Sequence, residues 1–151
     1  MKLSKYFSLS EFTHSDTART LDINNQPSQQ ELINLAHLCI NVLDPCRAFF
    51  NKPMSISSGY RSLELNRAVR SKDTSQHING QAGDVHIKGV DNMVLAEFIR
   101  DNLCFDQLIA EKLDKNDGAK GWVHVSYNFL GTNRKNVLSY TGDRYLNGLI
   151  F

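Results

Sequence analysis

The chain has 151 residues, of which 41% are hydrophobic and 22% charged, a composition typical of one soluble globular domain and unlike that of disordered or fibrous proteins. Because 17 Lys and Arg nearly balance 16 Asp and Glu, the formal net charge is +1, which leaves no excess positive charge to hold nucleic acid. No stretch reaches the roughly 18 consecutive apolar residues of a membrane span, so we expect none.

The strongest helix signal follows Pro27. Ser28 and Glu31 form a capping-box pattern, and apolar residues then recur at helical spacing. Pro45 predicts a kink in this helix, or a restart with Asp44 as the cap of a second helix. The apolar face of the helix needs a partner, and a sheet is the natural one.

Short strands and helices alternate in the remainder of the chain. Strands are predicted over residues 54–57, 105–111 and 122–126. Helices are predicted over residues 62–69 and 91–102, the second with Asp91 as its N-cap. This order predicts an α+β fold with a small, mainly antiparallel sheet and helices packed on one side.

Two histidines and a carboxylate occur in the segment SQHINGQAGDVH, residues 75–86, which has few large apolar side chains. A turn at Gly80 predicts that the side chains of His77 and Asp84 return to one point. Strand alternation places His124 on the face opposite two valines. Two imidazoles and one carboxylate suit catalytic zinc, which takes three protein ligands and leaves a fourth position for water.

A zinc hydrolase also needs a carboxylate that takes a proton from water and passes it to the leaving amine. Glu111 ends the strand before that of His124, and a hairpin could place it over the metal. Spacing alone leaves other interpretations open. His124 could be a structural strand residue, and His77 with Asp84 could be a hydrogen-bonded pair that braces a loop.

Five motifs follow one another along the chain: Ser58-Gly-Tyr-Arg-Ser62, Leu65-Asn66, Ser75-Gln-His77 with Gly80, Ala82 and Asp84, Phe105-Asp-Gln-Leu-Ile-Ala-Glu111, and Trp122-Val-His-Val-Ser126. In this order they closely resemble the zinc D-alanyl-D-alanine carboxypeptidase family, from about residue 5 to residue 130. That family includes carboxypeptidases, dipeptidases and phage endolysin peptidases that share the hedgehog-type zinc fold. The resemblance is to its branch of small single-domain peptidases.

The resemblance implies that His77, Asp84 and His124 bind Zn²⁺ and that Glu111 is the catalytic carboxylate. Arg61 stands where the family has an arginine that holds a substrate carboxyl group or polarises its carbonyl. A planar guanidinium suits this role because it can engage a carboxylate with two hydrogen bonds.

Substrate contacts are also implied around this set. Ser75 resembles a residue that contacts the substrate backbone, with a simple loop cap as the alternative. Tyr60 and Trp122 are expected to wall an open groove. His86 shares the strand face of Asp84, but a fourth protein ligand would close the site against water, so we expect it to be structural.

Residues 69–74 depart from the family, which commonly has a glycine-rich turn there, and Gly83 stands where alanine is usual. Neither difference removes a ligand, but both affect substrate fit. Asp106 and Gln107 are expected to support the ligands through hydrogen bonds from behind.

We therefore expect a single, monomeric zinc peptidase domain over residues 1–151 that cleaves a peptide bond in bacterial peptidoglycan as a D,D-carboxypeptidase or an endolysin-type endopeptidase. The bond could be D-Ala-D-Ala, L-Ala-D-Glu or a cross-bridge. Polar residues interrupt any signal-peptide core, so we expect synthesis in the cytoplasm and action on the wall after release. The alternative is a non-catalytic zinc-containing module that binds cell wall or belongs to a phage particle.

Overall fold

The computed structural model describes all 151 residues and contains one six-stranded sheet. Its strands are β1 (Met54–Ser58), β2 (Ala82–Ile87), β3 (Gln107–Glu111), β4 (Trp122–Ser126), β5 (Asn136–Tyr140) and β6 (Tyr145–Asn147). The helices are α1 (Leu9–Thr13), α2 (Asp16–Thr20), α3 (Gln29–Leu38), α4 (Asp44–Phe50), α5 (Leu63–Ala68) and α6 (Asn92–Asn102). A π-helical segment (Cys39–Leu43) joins α3 to α4, and a 3-10 helix (Gln76–Asn79) precedes β2.

The strands lie in the order β1-β2-β4-β3-β5-β6. Every neighbouring pair is antiparallel except β3 and β5, which run parallel. The predicted α+β class with a mainly antiparallel sheet is therefore confirmed. None of the helices is long and apolar enough to cross a membrane.

Two helix starts agree with their capping patterns. The backbone N–H of Ser28 donates to the Glu31 carboxylate at 2.6 Å, as a capping box requires. At the start of α6 the Asp91 carboxylate accepts a hydrogen bond from the Met93 N–H at 2.8 Å. The apolar sides of α3 and α6 then join the buried cluster on one face of the sheet, which explains why both segments fold as amphipathic helices.

The prediction that Asp44 caps a restarted helix is wrong. The chain passes from α3 through the π-helical segment into α4 without leaving helical geometry, and the Asp44 N–H donates to the Cys39 carbonyl five residues back. Pro45 is the second residue of α4, and because it has no N–H it cannot donate to a carbonyl of the preceding turn. The wider π turn therefore accommodates the proline without a break.

The two faces of the sheet carry different kinds of side chain. In β4, Val123 and Val125 are fully buried in the core, whereas His124 points to the opposite face. The register sets Asp84 of β2 directly opposite His124 of β4, and Glu111 of β3 opposite Trp122 of β4. The polar side chains at the centre of the sheet thus lie on the face away from the helical core.

Strands β5 and β6 extend this face beyond β3. Their register places Tyr140 opposite Glu111 and Tyr145 opposite Tyr140. The two tyrosine rings stack with their centroids 4.6 Å apart. The C-terminal part of the chain therefore lengthens the polar face of the sheet as well as its hydrogen-bonded edge.

Candidate active site

Three side chains converge on the polar face of the sheet: His77 from the 3-10 helix, Asp84 from β2 and His124 from β4. One Asp84 carboxylate oxygen, Oδ1, lies 3.3 Å from His77 Nε2 and 3.0 Å from His124 Nδ1. The three candidate ligand atoms all lie within 4.8 Å of one another. The expected convergence of these residues is present in the structure.

The ring of His77 is held in one orientation. Its Nδ1 lies 2.7 Å from the Gly59 carbonyl oxygen, and the side chain is buried. When Nδ1–H donates to that carbonyl, the lone pair of Nε2 faces Asp84 and is free to bind an ion. A backbone carbonyl behind the imidazole is the usual support of a metal-binding histidine.

The turn that returns the chain from His77 to Asp84 depends on Gly80. This residue ends the 3-10 helix in the left-handed region, with φ of +68°. A Cβ atom there would lie 2.6 Å from the Glu31 carbonyl oxygen on α3, so no side chain fits. The glycine thus permits both the turn and its close packing on α3.

The charge states of Asp84 and His77 suit a divalent cation. Burial alone would raise the pKa of Asp84, but His77 and His124 together hold it well below its usual range, so the carboxylate is ionised. Burial lowers the pKa of His77, which keeps its imidazole neutral. An ionised carboxylate beside neutral imidazoles is the form that binds a metal.

The spacing of the donor atoms also suits zinc. Tetrahedral ligands about 2.0–2.2 Å from the ion lie roughly 3.3 Å apart. The two distances from Asp84 to the histidines, 3.3 and 3.0 Å, are close to this value. The donor set of two nitrogens and one oxygen therefore fits a zinc ion, and it leaves room for a fourth ligand.

Glu111 lies beside this cluster. It is the diagonal neighbour of His124 across the β3–β4 hairpin, on the same face of the sheet and within reach of a long side chain. Burial raises the pKa of Glu111, with His124 and Lys112 opposing the shift and the Asp84 charge adding to it. Its carboxylate is therefore a better proton acceptor than an exposed glutamate.

Arg61 lies on the other side of the cluster. Its backbone N–H donates to the His77 carbonyl at 3.1 Å, which ties it to the segment of the first histidine. Its buried side-chain Nε has no hydrogen-bond partner. Burial lowers the pKa of the guanidinium, and the attraction of Asp84 opposes that shift. The group is thus an unused cationic donor beside the candidate metal ligands.

Asn25 holds the peptides on both sides of Arg61. Its side-chain amide donates to the Tyr60 carbonyl at 3.0 Å and its oxygen accepts from the Ser62 N–H at 2.8 Å. The residue is buried, so these bonds are shielded from water. The backbone of the arginine motif is therefore fixed from behind.

The three candidate ligands, Glu111 and Arg61 all line one groove with a volume of about 640 Å³. Its walls include Ser75 and the half-buried Trp122. The Ser75 hydroxyl also accepts a hydrogen bond from the His77 N–H at 3.4 Å, so it caps the 3-10 helix while facing the groove. Both alternatives considered for Ser75 are consistent with this position.

The expected placement of Tyr60 in the groove wall does not match the structure. Its side chain packs into the hydrophobic core and lines only a smaller neighbouring cavity of about 380 Å³. The aromatic walls of the main groove beyond Trp122 come from Tyr140 and Tyr145 instead. The sequence left open whether the stretch with Tyr140 and Tyr145 completes the core or extends the groove, because these residues reach the groove only through the pairing of β5 with β3 and of β6 with β5.

Asp106 supports the groove rather than the ligands directly. Its buried carboxylate receives two hydrogen bonds from the Arg134 guanidinium, at 3.0 and 2.9 Å, and one from the Gln76 amide at 2.9 Å. Gln76 adjoins His77, and Arg134 lines the groove. Gln107 donates to Asn136 at 2.9 Å and does not contact the ligands either.

His86 is not part of the ligand group, which contains His77, Asp84 and His124 alone. It lies opposite Ser55 of β1, two residues beyond Asp84 on the same strand. The expectation that His86 is structural stays a prediction.

Comparison with protein families shows where the chain belongs. The family described as Peptidase M15 matches residues 5–126, which is most of the chain and includes every candidate ligand. No curated protein matches the chain.

Proposed function

The chain belongs to the Peptidase M15 family, and from this premise we propose that it is a zinc-dependent peptidase that hydrolyses a peptide bond in bacterial peptidoglycan. The observation that carries the proposal is the meeting of three metal-binding atoms within 4.8 Å on the floor of an open groove that also contains Glu111. A purely structural histidine pair would need neither the groove nor the carboxylate beside it.

His77, Asp84 and His124 hold the ion in this proposal. When bound, Zn²⁺ activates water for attack and polarises the carbonyl of the scissile bond. His77 is aligned for this by the Gly59 carbonyl, and Asp84 brings negative charge to the ion from between the two imidazoles.

Glu111 takes the proton from the attacking water and gives it to the leaving amine. Its raised pKa brings it closer to neutrality, where one carboxylate can both accept and return a proton. Its place on the rigid β3–β4 hairpin, diagonal to His124, keeps the carboxylate beside the reacting atoms.

Arg61 binds the substrate. Its guanidinium, which lines the groove, donates to a substrate carboxyl or carbonyl oxygen. Ser75 and Trp122 contact the peptide along the groove wall. We propose that Tyr60 contributes less to substrate binding, because it faces the neighbouring cavity.

We further propose that residues 1–151 form one domain that acts as a monomer at the cell wall, where the substrate lies. Both terminal cleavage, as in a D,D-carboxypeptidase, and internal cleavage, as in an endolysin, use the same groove. Mass analysis of the fragments released from a defined muropeptide identifies the bond.

The Glu111→Gln variant tests the proposal. The zinc-loaded variant should keep one equivalent of metal but lose hydrolysis of purified peptidoglycan by about 100-fold or more, since general acid–base groups contribute about 10²–10⁴ in rate. Glu97→Gln, which removes an exposed carboxylate on α6, is the matched control and should retain full activity. Release is measured as new amino groups.

Two outcomes would contradict the proposal. An undiminished rate in Glu111→Gln would reassign the proton carrier. Zinc-loaded wild-type protein that binds peptidoglycan without releasing amino groups would favour the non-catalytic module.

A further inference from the structure

One wall of the groove comes from the segment between α5 and the 3-10 helix, residues 69–74, which we term the cationic loop. Five of its six residues line the groove: Val69, Arg70, Ser71, Lys72 and Thr74. This is the segment where the chain departs from the glycine-rich turn of the resembling family. The proposed reaction assigns no task to it.

Arg70 and Lys72 carry positive charges that no acidic side chain of the protein neutralises. Both are exposed, and neither takes part in a salt bridge. The only acid of the loop, Asp73, is bound by Arg67 through hydrogen bonds of 3.2 and 2.8 Å. Neither Asp73 nor Arg67 lines the groove, so this pair leaves the charges of the wall uncompensated.

The backbone of the cationic loop is fixed by a buried residue of α5. The Asn66 amide donates to the Lys72 carbonyl at 2.9 Å, and the Asn66 carbonyl accepts from the Ser71 N–H at 3.0 Å. Asn66 is fully buried. The two cations are therefore presented from a defined position rather than from a free loop, which lowers the entropy cost of binding a ligand.

Charge is divided along the groove. Its two carboxylates, Asp84 and Glu111, belong to the metal centre, whereas Arg70 and Lys72 come from the wall next to Ser75. A peptide that runs from the centre along this wall passes the two cations outside the reacting atoms. A concave surface of one sign concentrates ligands of the opposite sign.

We propose that the cationic loop makes the groove selective for acidic peptides, with Arg70 and Lys72 binding a side-chain carboxylate next to the scissile bond. This inference rests on the proposed function, since it places a peptide in the groove. A carboxylate can take two hydrogen bonds from the arginine and an ion pair from the lysine.

Binding to an inactive protein tests the inference separately from catalysis. The probes are the pentapeptide L-Ala-D-Glu-L-Lys-D-Ala-D-Ala and its counterpart with D-Gln in place of D-Glu, titrated into zinc-loaded Glu111→Gln protein by calorimetry at low salt. The acidic peptide should bind roughly two- to fivefold more tightly for each cation that it meets. The preference should shrink as salt is added.

The variant Arg70→Gln/Lys72→Gln in the same background should bind both peptides equally. Placing Arg instead of Gln at position 72 of this double variant (Arg70→Gln/Lys72→Arg) should restore part of the preference, because it restores one cation. Lys88→Gln removes an exposed lysine outside the groove and should keep the full preference.

Four results separate the two proposals. Equal affinity of the parent protein for both peptides, no measurable binding of either, or a preference that survives in the double variant would overturn the assignment of the loop. A clear preference together with wild-type protein that hydrolyses neither peptide would leave the loop assigned and overturn the peptidase reaction.

Discussion

The Nδ1 atom of His77 lies 2.7 Å from the carbonyl oxygen of Gly59, and this contact directs Nε2 of the same ring toward Asp84. Gly59 can hold its carbonyl there because it has no side chain. A Cβ atom at this position would lie 2.6 Å from Cα and 2.7 Å from the carbonyl oxygen of Phe12. The orientation of a metal ligand thus depends on close packing between the β1 terminus and α1.

The substitution Gly59→Ala should disturb the metal centre from outside it. The added methyl group must push the backbone away from Phe12, which should cost about 1–3 kcal/mol of stability. The displaced carbonyl should also lower zinc affinity by about tenfold or more. Chemical denaturation and zinc titration against a competing chelator measure the two effects.

Gly83→Ala is the matched control for this change. A Cβ atom there would meet its nearest neighbour, Val85, at an ordinary 3.6 Å. This variant should keep both stability and zinc affinity near wild type. Unchanged zinc affinity in Gly59→Ala would argue that the Gly59 carbonyl does not orient His77.

Removing the charge between the histidines should abolish stabilisation by zinc. An ion that binds only the folded protein adds about 2.7 kcal/mol of stability at a free concentration 100 times its dissociation constant. In Asp84→Asn the neutral amide replaces the ionised oxygen that lies near both imidazoles, so added zinc should no longer raise the melting temperature. Calorimetry with and without a chelator checks this, and an equal zinc response in both proteins would refute the assignment.

The sequence predicted those elements whose signals are local. Strand Trp122–Ser126 agrees with its predicted bounds, since alternation of apolar and polar residues is a property of the strand itself. Asp91 caps α6 as expected because an N-cap needs only the next two or three residues. The candidate metal ligands were identified for the same reason, from short motifs of recognisable residue types.

Local sequence patterns could not predict the features that arise from long-range packing. Strand β5 joins the sheet through parallel pairing with β3, and nothing in its own five residues specifies that partner. The sequence therefore left open whether Tyr140 completes the core or extends the groove, and it did not show that Tyr60 packs into the core. The π-helical segment before Pro45 is likewise a compromise between helix continuation and core packing that residue types alone do not reveal.

Breaking the hydrogen bonds among Asp106, Arg134 and Gln76 should loosen one end of the groove. The buried Asp106 carboxylate binds Arg134 and Gln76, and because Arg134 is more than half exposed, solvent screens part of the pair. We expect Asp106→Asn to cost about 2 kcal/mol. Asp101→Asn, which breaks an exposed ion pair with Arg100, should cost much less, because water screens that pair. Urea denaturation compares them, and equal costs would show that the cluster contributes no more than a surface pair.

The Asp106 contribution should also depend on pH. Burial works against the charged form, but hydrogen bonds from Arg134 and Gln76 hold the pKa of Asp106 below its ordinary value of 3.8. The folded state thus binds this proton less tightly than the unfolded chain, and the stability is present above pH 3.8 and lost as pH falls through the lower folded value. The difference in free energy of unfolding between wild type and Asp106→Asn should therefore become smaller in acid.

Thiol reagents should distinguish the three cysteines. Cys39 and Cys46 are fully buried, and burial raises the pKa of Cys46 to about 12. Cys104 is exposed. We expect one fast-reacting thiol in the folded protein and three after unfolding, counted with a chromogenic disulfide reagent. Rapid reaction of all three without denaturant would contradict the burial of the π-helical segment and α4 in the core.

Glu111 should lower the stability of the metal-free protein at neutral pH. Burial raises its pKa above the ordinary value of 4.5, so the folded state binds this proton more tightly than the unfolded chain. The contribution of the protonated carboxyl is fully present below pH 4.5 and is lost as pH rises through the raised folded value. Glu111→Gln stays neutral throughout, so in chelator-treated protein it should be more stable than wild type near about pH 8, with the difference shrinking in acid. Glu97→Gln should show no such trend, and a Glu111→Gln protein less stable than wild type at high pH would mean that the carboxylate supports the fold rather than the reaction.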